Sequence, residues 1–261
     1  MIGAAEFRMD KEKGWCMDLH NVVSLVDVKT KKKTPMRLPD QVKAFQKLLL
    51  EYNGTDHMRQ DYENIKAIVC DAGGGGQMIG GVMDYMLAPW EGNDGKMHKG
   101  IIDASHKSNE TARETFPDAI DIVKLIDPKG RRNDIFESLE KMIKLGVVTF
   151  PADWDGKDEL FFVDDGTEHR YQLSMAEQNA LGQIENLKNE TVTMCKYVSN
   201  GNVTYNFPPD KRNTMHDDRV FMLGLLCYYL ASLRRGQIVS TNEYANDEFA
   251  TAPSLVSTIS F

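Results

Sequence analysis

Long apolar runs are missing from this chain. No stretch of about 18 apolar residues occurs, so a membrane-spanning helix of ordinary length is not expected. Met1 to Asp10 lacks a basic stretch followed by an apolar core, so no secretory signal is read there. Cysteine is scarce: Cys16, Cys70, Cys195 and Cys227 are scattered and none forms a Cys-x-x-Cys pair. That argues against a zinc site and for free, buried thiols in a reducing compartment. Net positive charge is lacking too: the formal charge is −8, with 41% of residues hydrophobic and 27% charged, an ordinary globular composition. The length allows one large domain or two small ones.

A negative balance argues at first sight against nucleic acid, which is bound through basic patches. Net charge averages over the surface, however, and a metal-dependent nuclease gathers carboxylates at its own site. Basic clusters are present at Lys29 with Lys31-Lys32-Lys33, at Arg131-Arg132, at Lys211-Arg212 and at Arg234-Arg235. Taken singly, each reads as a solvated surface.

Alternating strand-like and helix-like segments point to an α/β fold. Residues 22–28 predict a β-branched strand, and 40–52 an amphipathic helix with Asp40 as N-cap. Residues 65–70 predict a buried strand ending at Asp71, followed by the glycine run Gly73–Gly76 and a helix over 77–87. Strand character returns at Gly100–Asp103, 119–126 and 147–151, with a helix over 133–145 stopped by Gly146. Residues 152–172 read as acidic and irregular. Ser174 and Glu177 form a capping box that opens a helix to about Glu190. Strands over 192–198 and 202–207 flank Asn200-Gly201, a hairpin signal. An apolar helix follows over 220–233, ended by Arg234-Arg235-Gly236, with residues 237–261 as a flexible tail after one domain over 1–236.

Two acidic features could carry chemistry. Asp71 lies where a buried strand meets a glycine turn, the edge at which α/β sheets build sites, and the glycines would let a bulky ligand approach. It equally suits a cap for the next helix. His216-Asp217-Asp218-Arg219 stands at the head of an apolar helix. Adjacent carboxylates repel unless a cation neutralises them, and clustered carboxylates suit Mg²⁺ or Mn²⁺. A plain acidic N-cap also accounts for them. A third acid would be Asp10, or else Asp18; either could be an ordinary hairpin acid. A P-loop is absent because Gly73 to Gly81 contains no lysine. A dinucleotide site would need an acid about 20 residues on, which falls on Glu91 or Asp94 inside a loop.

The strand ending in Asp71 with its glycines, the hairpin at Asn200-Gly201, and Lys211 … His216-Asp217-Asp218-Arg219 before an apolar helix together resemble the nuclease domain of the large terminase subunit of tailed bacteriophages, over roughly residues 1–236. The resemblance implies a ribonuclease-H-like fold, a central mixed sheet flanked by helices. It implies an acid triad holding one or two Mg²⁺ or Mn²⁺ ions, and cutting of double-stranded DNA during genome packaging in the host cytoplasm. Asp71 takes the place of the second acid and Asp217 or Asp218 that of the third. Asp10 matches the first by position. His216, beside the Asp217-Asp218 pair, is on the residues' own reading a candidate for proton transfer. Lys211, Arg212 and Arg219 would position the DNA backbone. The implied partners are an upstream packaging ATPase domain, the portal and the small terminase subunit. The segment before Asp10 contains Glu6 and Arg8 and makes a poor buried strand, so the usual first strand, like the ATPase half, is expected to lie outside this chain. A catalytically incomplete DNA-clamping module and a junction-resolvase-like nuclease are the alternatives.

Overall fold

The computed structural model describes residues 1–27, 34–53, 61–72, 81–243 and 256–260. The glycine run Gly73–Gly76, the expected helix start at Gln77, and Lys29 with Lys31-Lys32-Lys33 lie outside the described residues. In chain order the elements are β1 (Ile2–Asp10), β2 (Gly14–Val23), β3 (Val26–Asp27), β4 (Thr34–Pro35), α1 (Leu38–Asn53), β5 (Ile65–Asp71), α2 (Val82–Tyr85), β6 (Trp90–Glu91), β7 (Met97–His98), β8 (Ile101–Ile102), α3 (Glu110–Thr115), β9 (Ile120–Asp121) and β10 (Val123–Ile126). They continue with α4 (Arg132–Lys144), β11 (Val148–Thr149), β12 (Glu159–Asp164), β13 (Thr167–Gln172), α5 (Met175–Thr193), β14 (Cys195–Ser199), β15 (Asn202–Asn206), α6 (Asp218–Glu243) and β16 (Val256–Ser260). The fold is mixed α/β.

A six-stranded sheet in the order β10-β5-β16-β1-β2-β11 organises the rest. β10, β5 and β16 run parallel; β1 is antiparallel to both β16 and β2. β1 is a full strand although Glu6 and Arg8 interrupt its apolar residues. Alternation explains this: Ala5 and Phe7 are buried toward one helical layer, while Glu6 and Arg8 point the other way. There Arg8 Nε donates to Asp18 Oδ2 at 2.5 Å and His20 Nε2 meets Glu6 Oε2 at 3.2 Å. Cross-strand pairing thus satisfies the charges that make the segment look unfit for a sheet.

On the Phe7 side, Met17 and Leu19 of β2 pack against Phe136 and Leu139 of α4, Ile184 and Leu187 of α5, and Leu223, Leu226 and Leu230 of α6. On the other side, Phe45 and Leu49 of α1 cover Ile68 and Cys70 of β5 together with Met86 and Ile101. α4 and α6 lie side by side and in the same direction. Arg132 at the start of α4 pairs with Asp217 just before α6. At their far ends, Lys13 Nζ donates to the Gly146 carbonyl at 3.2 Å, and Arg234 donates to the carbonyls of Lys13 and Trp15 at 2.7 and 2.6 Å. Both helices therefore start at one end of the sheet; α4 finishes at the β1–β2 turn, and α6 passes that turn at Arg234. Their close approach needs Gly224: a Cβ there would lie 2.8 Å from Ile135 Cγ2.

Three elements differ from expectation. α6 runs past Arg234-Arg235-Gly236 to Glu243 and the chain returns as β16 inside the sheet, where a flexible tail was expected. Arginine is a good helix former, and one glycine costs a helix only about 1 kcal/mol. The irregular stretch expected at 152–172 contains the β12–β13 hairpin, turned at Asp165 and Gly166 with φ of 47° and 76°. The strand expected from Val22 is the end of β2, which starts at Gly14. Among the described residues no helix is long and apolar enough to cross a membrane.

The β14–β15 hairpin turns at Asn200 and Gly201, as the sequence predicts, with φ of 49° and 77°. Glu140 of α4 anchors it, accepting from Lys196 Nζ at 3.2 Å and Tyr205 Oη at 3.1 Å, and from Lys144 on its own helix at 2.5 Å. The hydrogen bonds from Lys144 and then Lys196 hold its carboxyl down to about 2, against an ordinary 4.5. A carboxyl depressed by folding stabilises the protein above its ordinary value, and loses that effect as pH falls toward the folded one. Glu140→Gln should therefore lower the thermal midpoint at neutral pH, and melts followed by circular dichroism should show the gap to wild type closing as pH falls toward about 2. Gly224→Leu should push α6 off α4 and cost about 1–3 kcal/mol of unfolding free energy in a denaturant titration.

Candidate functional site

β5 delivers Asp71 to the end of the sheet where α4 and α6 begin. Val69 is buried with Ile135 of α4 and Leu225 of α6. Asp71, two residues on, projects to that same face. On α6, Met222 fills the space over Gly3, so close that a Cβ on Gly3 would lie 2.2 Å from its sulfur. Gly3 pairs with Ser260, and Ser260 with Val69, so Gly3 and Val69 are level and two strand spacings apart, about 10 Å. From that row, Asp218 lies one helical turn outward and Asp71 two strand residues outward, each roughly 6 Å. Asp71 and the Asp217-Asp218 pair therefore share one end and one face of the sheet.

The two adjacent acids do different work. The Asp217 carbonyl accepts from Phe221 N at 2.7 Å, and its carboxylate pairs with Arg132. The Arg132 guanidinium in turn lies 5.0 Å from the Phe136 ring centre and 5.4 Å from that of Phe221. Asp217 thus fastens α6 to α4. Asp218 is exposed in the first turn of α6, within electrostatic reach of Glu190.

Asp10 and Asp18 are not brought to this end. Because β1 runs antiparallel to β5, its last residue lies at the opposite edge, seven strand residues from Gly3 and so more than about 20 Å away. Asp10 accepts from the backbone nitrogens of Glu12 and Lys13 at 2.9 and 2.8 Å, and those bonds lower its carboxyl below the usual range. It is a turn-capping residue. Asp18 is held by Arg8 on the other face of the sheet.

The basic residues also divide. Arg219 points inward: Nε donates to Gln183 Oε1 at 2.9 Å and a terminal nitrogen to Glu190 Oε1 at 2.5 Å, with 18% of its side chain exposed. It is spent on internal partners, so the expected DNA contact is not supported at this position. Arg212 Nε donates to the Phe207 carbonyl at 3.0 Å and its guanidinium lies over Tyr197, which ties it to the β14–β15 hairpin. Lys211 and His216 are exposed.

Sequence reasoning missed Glu190. It follows buried Ile184 and Leu187 at three-residue spacing and so shares their inward face, which was the available signal. Burial pushes its carboxyl up; Arg219 opposes that shift, and Asp218 adds to it. Its place in the last turn of α5, at the negative end of the helix, also disfavours charge. Asp94, one of the two acids a dinucleotide site would have used, instead meets His98 Nε2 at 3.1 Å, while Asp61 holds Nδ1 at 3.0 Å. That histidine is buried and tilts against Trp90, clamping the β6–β7 turn.

No protein-family model, characterised protein or solved structure matches the chain.

Arg219→Ala should leave the buried Glu190 carboxylate uncompensated and cost about 3–5 kcal/mol, toward the lower end because Arg219 is partly exposed. Adding Glu190→Gln should recover much of the loss. Without Arg219 the Glu190 carboxyl rises further above its ordinary value, so the deficit appears as pH rises and shrinks in acid. Urea unfolding at acidic and neutral pH measures both effects.

Proposed function

We propose that this chain is a divalent-metal-dependent nuclease domain that cuts double-stranded DNA, of the kind found in large terminase subunits. The observation that carries the reading is that Asp71 and Asp218 lie at one end and on one face of the sheet. A mixed sheet with parallel β10, β5 and β16 beside antiparallel β1 and β2, flanked by helices on both faces, supports a ribonuclease-H-like arrangement.

Carboxylate oxygens are the donors that Mg²⁺ and Mn²⁺ prefer, and such ions bind through as few as one or two carboxylates while keeping several waters. Among the described residues no three His, Cys, Asp or Glu side chains form a ready-made metal cage. A two-carboxylate site completed by water and phosphate fits the residues present. Asp71 and Asp218 hold the ions; when bound, these supply an activated water and positive charge beside the scissile phosphate. The N-termini of α4 and α6 both face this end and favour anions. Exposed Arg131 and Lys211 add charge that attracts the backbone without reading bases. Cleavage is then largely sequence-independent and weakened by salt. Contacts with a packaging ATPase, a portal and a small terminase subunit follow from the same reading.

The distant position of Asp10 favours a second reading, a DNA-clamping module with an incomplete acid set. Plasmid incubated with the protein and Mn²⁺ separates the two. Nicking and linearisation that vanish with chelator, fall at least about a hundredfold in Asp71→Ala and Asp218→Ala, and persist in Asp10→Ala support the nuclease. DNA binding without any cutting supports the clamp, and equal cutting by Asp71→Ala removes the site.

A further inference from the structure

Three buried side-chain oxygens have no hydrogen-bond partner among the described residues: Asn21 Oδ1, Asn53 Oδ1 and Glu190 Oε2. Glu190 alone of these can carry a charge. It is 6% exposed, yet only Oε1 is used, by Arg219. A buried carboxylate oxygen left without a partner costs free energy, and a second carboxylate nearby raises the cost. Asp218 is that second carboxylate, and His216 also lies within electrostatic reach. Arg219 and Gln183 fix the geometry: one arginine ties α6 to both Gln183 and Glu190 of α5. The oriented acid and its unpartnered oxygen thus lie in the last turn of α5, bonded to Arg219, the chain neighbour of the exposed Asp218 in the first turn of α6.

We propose that Glu190 Oε2 and Asp218 together hold a divalent cation of the hard, oxygen-preferring kind, so that α5 supplies the acid that β1 does not bring to this end of the sheet. The cation relieves the repulsion between the two carboxylates and gives Glu190 Oε2 its missing partner. Two carboxylates from two helices, with water filling the other positions, suit Mg²⁺ or Mn²⁺. The assignment deepens the nuclease reading by naming a further acid of its metal site, and as a cation site it can be tested without DNA.

Mn²⁺ is titrated into the full chain without DNA and the free ion followed by electron paramagnetic resonance, alongside Glu190→Gln, Asp218→Asn and Asp10→Asn. Circular dichroism confirms that each variant is folded. Wild type and Asp10→Asn should bind alike, and Glu190→Gln and Asp218→Asn should each weaken binding roughly tenfold or more. Glutamine keeps an oxygen for Arg219, and Asp218 is exposed, so a folded variant is available if Glu190→Gln fails. Mn²⁺ binding unchanged in Glu190→Gln or in Asp218→Asn, or absent from wild type at millimolar Mn²⁺, overturns the site. If Glu190→Gln binds Mn²⁺ and cuts DNA as wild type does while Asp71→Ala does not cut, this assignment fails and the nuclease reading stands. If Mn²⁺ binding requires both acids but no DNA is cut, the cation site stands and the nuclease reading fails.

Discussion

The co-directional packing of α4 and α6 across one face of the sheet is the constraint on which the rest depends. It requires a residue without a side chain at Gly224, because Ile135 of α4 occupies the space a Cβ would need. With the helices locked in that register, both positive helix ends and Asp71 fall at the same edge, and the negative end of α4 falls at the β1–β2 turn, where Lys13 bonds to the Gly146 carbonyl and Arg234 of the passing α6 bonds to the Lys13 carbonyl. The two ends of α4 thereby differ electrically: one favours anions, and the other is met by the Lys13 cation.

Within the first end, charge is apportioned by burial. Asp217 and Arg132 lie near the surface and hold two helices together, with the guanidinium resting on aromatic rings. Arg219 and Glu190 lie deeper and hold α5 to α6. Asp218, between these two pairs in sequence, remains exposed. Neighbours along the chain thus have unrelated roles because a helix turns successive side chains toward different partners.

Local signals were legible in the sequence, and strand direction was not. The Ser174–Glu177 capping box, the Asn200-Gly201 turn, the buried strand before Asp71 and the apolar stretch of α6 all rest on contacts a few residues apart, and each forms where expected. Asp10 was misplaced because position along the chain says that an acid ends a strand, without saying at which edge. An antiparallel hairpin sends successive strand ends to opposite edges, so the spacing from Asp10 to Asp71 carried no information about proximity. The β12–β13 hairpin was hidden because both its faces are exposed, Phe161 and Phe162 included, so no in-and-out pattern marks it. Glu190 was overlooked because an acid on an apolar helix face looks like an interruption until its arginine partner, from a distant helix, is seen.

β16 lies between β1 and β5, whose residues belong to the first part of the chain, while its own are the last to take part in the sheet. The strands on either side of it therefore have no hydrogen-bonded neighbour across the gap until some of the most sequence-distant contacts in the molecule form. Topologies that depend on such non-local pairing assemble slowly, because the entropy of closing the loop is lost before the ladder compensates for it. From the synthesis of β5 until that of β16, a growing chain of this sequence would carry two facing open sheet edges, a period during which any passing extended segment is a competitor for the same groove.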